Sequence, residues 1–173
     1  DLEIDRLDVL IDQAVLELLA LQAPVARDLR QVIAIKTMAM DLERVGDLAR
    51  NIAKSAIRLR ERTRIPMPPL LLTLADDSQR LLANALAAFA DRDAERARAV
   101  LAGDDQVDAD EDAVIRAAIE EIRTRPAISE QAVDLIFIAK NLERVADHAT
   151  NIAEDVVLAE ESVNLKHAAK LGG

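Results

Sequence analysis

The sequence predicts an all-α protein: a tandem repeat of three-helix bundles, with the first helix of the first repeat absent from the chain. Three observations carry that expectation. Of 173 residues, 51% are hydrophobic and 31% charged, yet only 1% are aromatic. Sheets favour aromatic and β-branched side chains, whereas the Ala, Leu, Glu and Arg that dominate here favour helices. Five prolines and four glycines leave long uninterrupted segments, roughly 1–22, 25–64, 70–91, 93–124 and 127–165, with apolar residues at three- and four-residue spacing. Finally, LERVGDLARNIA (42–53) recurs as LERVADHATNIA (142–153), nine of twelve positions identical at an offset of 100.

Each segment has its punctuation. Proline in a helix interior costs about 3 kcal/mol, so Pro24 ends the first helix and Pro126 divides the last two segments. Residues 65–69, Ile-Pro-Met-Pro-Pro, form a stiff, extended linker. Residues 91–93 supply a turn and an aspartate N-cap. Gly103 costs about 1 kcal/mol against Ala and predicts a local kink. Upstream of each motif the repeat extends weakly, Asp1-Leu2-Glu3-Ile4-Asp5 resembling Asp104-Asp105-Gln106-Val107-Asp108. The expected organisation is a first repeat at 1–64 (a hairpin, an incomplete bundle), a linker at 65–69, a complete three-helix bundle at 70–165 and a flexible tail at 166–173. The hairpin should leave apolar surface uncovered.

Several function classes are disfavoured. A net charge of −10 and a pI near 4.7 oppose nucleic-acid binding. Without cysteine there is no disulfide, thiolate zinc site or cysteine nucleophile. Every apolar run is broken by charge before the about 18 residues a spanning helix needs. The sequence has no glycine-rich phosphate loop, no Gly-x-Ser-x-Gly turn and no Glu-x-x-His.

Carboxylates are the candidate chemistry. Asp1 and Asp5, Glu43 and Asp47, Asp104 and Asp108, and Glu143 and Asp147 are all pairs four apart, so each pair shares one helix face. On a helix of about 100° per residue, Leu42, Val45, Ala49 and Ile52 form one stripe, and Glu43, Asp47 and Asn51 lie opposite. Antiparallel helices pair residues whose numbers share one sum. Asp104 with Asp147 and Asp108 with Glu143 share a sum that places the turn at Pro126. Asp1 with Asp47 and Asp5 with Glu43 share one that places it at Pro24.

An acidic pair on a helix is ordinarily a solvated face, and Arg44 and Arg144 can neutralise neighbours through ion pairs of about 0–1 kcal/mol. Convergence in both copies points instead to a cation site, because clustered carboxylates repel unless a cation lies between them. Oxygen donors suit magnesium, calcium, manganese or iron, and a closed structural zinc site is excluded without thiolates. His148, directly after Asp147, should point about 100° away, towards the surface or a second shell; His167 carries no signal. Asn51 and Asn151 could add amide oxygens or only meet water.

The motifs QAPVARDLRQVIA (22–34), DLERVGDLARNIA (41–53), GDDQVDADED (103–112) and FIAKNLERVADHATNIAEDVV (137–157) resemble the PhoU family of phosphate-signalling regulators, in the family's order and over nearly the whole chain. The resemblance implies two tandem three-helix bundles with pseudo-two-fold symmetry. It also implies multinuclear iron or zinc clusters on the acidic motifs of some members, here on the same eight carboxylates. It implies a cytoplasmic negative regulator of phosphate uptake and the phosphate regulon, not an enzyme. The implied partners are the ATPase subunit of the phosphate ABC transporter and the phosphate-sensing histidine kinase. A homodimer is expected, with no nucleic acid and no membrane insertion. The alternatives are a metal-dependent phosphohydrolase, for which no nucleophile or base stands out, and a metal-free helical adaptor.

Overall fold

The computed structural model describes residues 2–165, and among them there is no strand. Six α-helices follow one another: α1 (Leu2–Gln22), α2 (Ala26–Glu61), α3 (Pro69–Asp91), α4 (Ala94–Leu101), α5 (Asp104–Thr124) and α6 (Ser129–Glu161), with a short 3₁₀ turn at Pro126–Ile128. The breaks fall where the punctuation puts them. Ala23 and Ala26, on either side of Pro24, have φ of 41° and 50°, a left-handed conformation that strains an L side chain. Pro69 opens α3, where its missing N–H would have had no partner anyway. Arg92 closes that helix in the left-handed region, and Asp93 caps α4 by accepting from the Arg96 N–H at 2.9 Å.

One expectation is corrected. The segment 93–124 is not a kinked helix but two helices, α4 and α5, parted at residues 102–103. The junction holds a residue of low helix preference, and a Cβ on Gly103 would lie 2.8 Å from Leu81 Cδ2, whose side chain would have to shift.

The core lies in the second repeat. Leu74 of α3, Val100 of α4, Val107 and Val114 of α5, and Ile152 and Val157 of α6 are the most fully buried of its large side chains. Leu142, Val145, Ala149 and Ile152 of α6 are all buried, as their stripe predicts. Their equivalents on α2 are not: Leu42, Val45 and Ile52 are half-buried and Ala49 is exposed. Met38, Leu42, Ile52, Leu59 and Ile65 nonetheless pack against the same core. Residues 62–68 therefore interrupt the helices without interrupting the packing. α1 packs on α2 and leaves Leu7, Val9, Leu10, Leu16 and Leu21 between 53% and 78% exposed, the apolar surface expected of a two-helix hairpin.

α2 and α6 form the largest interface. They meet along residues seven apart, Ala34, Asp41, Leu48 and Ser55 against Asp134, Asn141, His148 and Asp155, the spacing that keeps one seam facing its neighbour. These four and four are repeat equivalents, which places a pseudo-two-fold relation along the seam. Polar contacts cross it beside the apolar ones: His148 Nδ1 lies 2.8 Å from Asp41 Oδ1, and the Thr37 hydroxyl donates to Asp155. Arg58 Nε and Arg62 Nη1 donate to Asp134 at 2.8 and 2.6 Å.

Candidate functional site

Asp104 and Asp108 lie in the first turns of α5, where helix N-terminal amides favour acids, and Glu143 and Asp147 lie on the neighbouring α6. Charge acts between the two helices: Asp147 bears on Asp104, Asp108 and Glu143, and Asp108 bears on Asp104 and Glu143. Asp104 is pushed up to about 6, first by burial and then by Asp108 and Asp147. Glu143 is pushed up to about 7 by burial, Asp147 and Glu111, with Lys140 opposing. Asp108 is raised by burial and by Asp147 and Asp105. Burial and like charge both disfavour the ionised form. Asp104 Oδ1 is buried with no hydrogen-bond partner. Glu111 joins the group from α5, buried but paired at 2.7 Å with Lys140 Nζ.

In the first repeat Asp1 lies outside the described residues, as do His167 and the expected tail at 166–173. Asp5 is exposed, and Glu43 and Asp47 are half-buried. α1 runs beside α2 near the expected register: a Cβ on Gly46 would lie 2.9 Å from Ile4 Cδ1. Here cations intervene. Arg50 Nη2 holds Asp47 Oδ1 at 2.5 Å, and Lys36 meets Asp12 and, at 3.7 Å, Asp8. Arg44 and Arg144 form none of the ion pairs expected of them among the described residues.

As placed, no three His, Asp or Glu side chains among the described residues converge to hold a metal ion. The donor chemistry of the second set nevertheless suits a hard cation: it is all oxygen, and the Asp104 oxygen lacks any other partner.

His148 corrects a second expectation. It is 8% exposed and bonded to Asp41 inside the seam, not at the surface. Asp41, Asp134 and Asp155, all buried on the same seam, escaped sequence reasoning. Their signal is the seven-residue recurrence of polar residues along α6, at Asp134, Asn141, His148 and Asp155.

Fold and site together define a class: duplicated helical-bundle proteins with paired carboxylates on neighbouring helices. A profile described as "PhoU domain" matches residues 1–56 and 71–156, and the chain belongs to that family. The phosphate-specific transport system accessory protein PhoU homolog of Xylella fastidiosa (strain 9a5c) is 37% identical over 157 residues, 91% of this chain and 66% of the relative. The homolog of Zymomonas mobilis is 37% identical over 159 residues, covering 92% and 67%. The chain thus spans about two thirds of the length of these curated relatives. The crystal structure of PhoU from Pseudomonas aeruginosa matches with a TM-score of 0.90 at 32% identity, over 93% of this chain and 78% of that one. That of the phosphate transport system regulatory protein PhoU from Streptococcus pneumoniae matches at 0.86 and 30%, over 94% and 76%. These names describe accessory and regulatory proteins, in line with an expectation of no enzyme. No described helix is long and apolar enough to cross a membrane.

Proposed function

We propose that this chain acts in the cytoplasm as a negative regulator of phosphate uptake and the phosphate regulon, by contact with other proteins rather than by catalysis. The observation that carries this reading is its likeness to accessory proteins of phosphate-specific transport over more than nine-tenths of its length. The expected partners are the ATPase of the phosphate transporter and the phosphate-sensing histidine kinase, and the working unit is a homodimer. The acidic faces are the contact chemistry. Asp104, Asp108, Glu143 and Asp147 hold a divalent or trivalent cation, and Asp1, Asp5, Glu43 and Asp47 are the weaker equivalent. Iron or zinc follows from the family; magnesium or manganese fits the oxygen donors equally. The cation supplies positive charge that relieves carboxylate repulsion and leaves coordination positions for a partner. The residues' own part is to present oxygens at one height on two helices, with Asp104 and Glu143, raised to about 6 and 7, exchanging protons for metal.

Deleting the gene tests the function: phosphate-starvation genes should switch on in phosphate-rich medium. Unchanged repression would overturn the reading. Binding to either partner should weaken with added salt, because exposed charges are screened beyond about 10 Å at 0.1 M.

A further inference from the structure

The pseudo-two-fold seam has two equivalent flanks, and they have diverged. On one, Thr37, Asp41 and Arg44 of α2 correspond by the repeat to Phe137, Asn141 and Arg144 of α6, and Glu154 and Asp155 of α6 correspond to Lys54 and Ser55 of α2. The flank that holds Thr37, Asp41 and Asp155 is closed internally, since Thr37 bonds Asp155 and Asp41 bonds His148. The other flank is an open groove lined by Lys54, Arg58, Arg144, Asn51, Asn141, Phe137 and Ser55. Its lining contains three cations and no acid, in a chain of net charge −10.

Two of those three cations are not spent on the protein's own carboxylates, whereas Arg58 is paired with Asp134. Among the described residues neither Lys54 nor Arg144 has an ion-pair or hydrogen-bond partner. Arg58 is held in place by the buried Asp134 and by the Ser55 hydroxyl, which accepts from its Nη2 at 2.8 Å. One buried carboxylate carries two arginines, because Arg62 bonds the other Asp134 oxygen at 2.6 Å. Asn141 donates to the Phe137 carbonyl at 2.5 Å and is committed locally, whereas the Asn51 amide makes no such bond. A cation fixed in advance loses little entropy when a ligand arrives.

We propose that this groove binds a phosphate-class oxyanion, with Lys54 and Arg144 as its charged contacts, Asn51 as a neutral donor and Arg58 positioned by Asp134. Several oxygens on one small centre match several donors from two helices, and arginine favours such an anion because its planar fork meets two oxygens at once. Phe137 borders the groove and is 53% exposed, so a phosphate carrying a planar base could rest on it.

The test is calorimetric titration of the full chain with pyrophosphate in metal-free, low-salt buffer. Lys54→Ala and Arg144→Ala should each weaken binding about tenfold or more, roughly the loss of one charge-assisted hydrogen bond, and Arg144→Lys should restore part of it. Arg116→Ala removes an exposed α5 cation paired with Asp112 and should change affinity less than about twofold. Absence of saturation at millimolar pyrophosphate, or equal weakening by Arg116→Ala, would overturn the proposal. Adenosine triphosphate separates the sources. If Phe137→Ala weakens the nucleotide but not pyrophosphate, the ligand class is a nucleotide; if it weakens neither, it is free phosphate or a simple phosphate ester.

Discussion

The two repeats carry nearly the same twelve residues at 42–53 and 142–153, yet the second buries its apolar stripe and the first does not. The difference is a neighbour. α6 is packed by α3, α4 and α5 as well as by α2, whereas α2 has α1 and α6. The carboxylates follow the stripe. Where the bundle is complete, Asp104 and Glu143 are drawn out of water and raised to about 6 and 7. In the hairpin, Asp47 is held by Arg50, and Asp8 and Asp12 by Lys36. The shared Glu-x-x-x-Asp spacing therefore meets burial and like charge in the second repeat and an arginine in the first.

The largest expected effect compares equivalent core positions. Ile152→Ala, at a fully buried site, should cost about 2–5 kcal/mol in denaturant unfolding. Ile52→Ala, at a half-buried site, should cost about 1 kcal/mol. Equal losses would show that the repeats are packed alike in solution.

Next comes the seam. Asp41→Ala leaves the buried His148 ring without its partner and should cost about 1–3 kcal/mol. The repeat-equivalent Asn141→Ala should stay within about 0.5 kcal/mol by the same measurement.

A smaller effect sharpens the comparison of the acidic faces. Glu143→Gln with Asp147→Asn should raise the melting temperature of the metal-free protein by relieving repulsion, and should abolish the rise produced by added divalent metal. Glu43→Gln with Asp47→Asn loses the Arg50 pair and should lower stability by about 0–1 kcal/mol. A full metal response in the first double variant would reduce that face to solvated charge.

The smallest is a pH slope. Asp104 and Glu143 bind protons more tightly in the folded chain than their ordinary values of 3.8 and 4.5 allow. Between about pH 4 and pH 7 the folded state therefore holds more protons than the unfolded one, and these two groups make stability fall as pH rises. Melting curves of Asp104→Asn and Glu143→Gln against the parent should show a flatter slope across that window.

Helix boundaries were legible because Pro24, Pro69 and Pro126 act locally, through a fixed φ and a missing N–H. The repeat and the antiparallel register were legible because both are arithmetic on position. What escaped depends on contact between elements. Gly103 reads as a kink until Leu81 of α3 is seen against it. His148 reads as a surface residue because its motif neighbour Asp147 is exposed, while its own direction leads into α2. Buried Asp41, Asp134 and Asp155 look like charge on an amphipathic helix until each partner on the opposite helix is placed.

The seam between α2 and α6 also acts as a spline. Two rods of 36 and 33 residues, about 50 Å long at 1.5 Å per residue, are keyed by Asp41 to His148, Thr37 to Asp155 and Arg58 to Asp134. Apolar side chains tolerate small axial slips, but these keys are directional, and sliding by one turn would disengage all three together. Roll of either rod would break the same bonds, so the seam fixes the height and facing of the two acidic faces relative to each other.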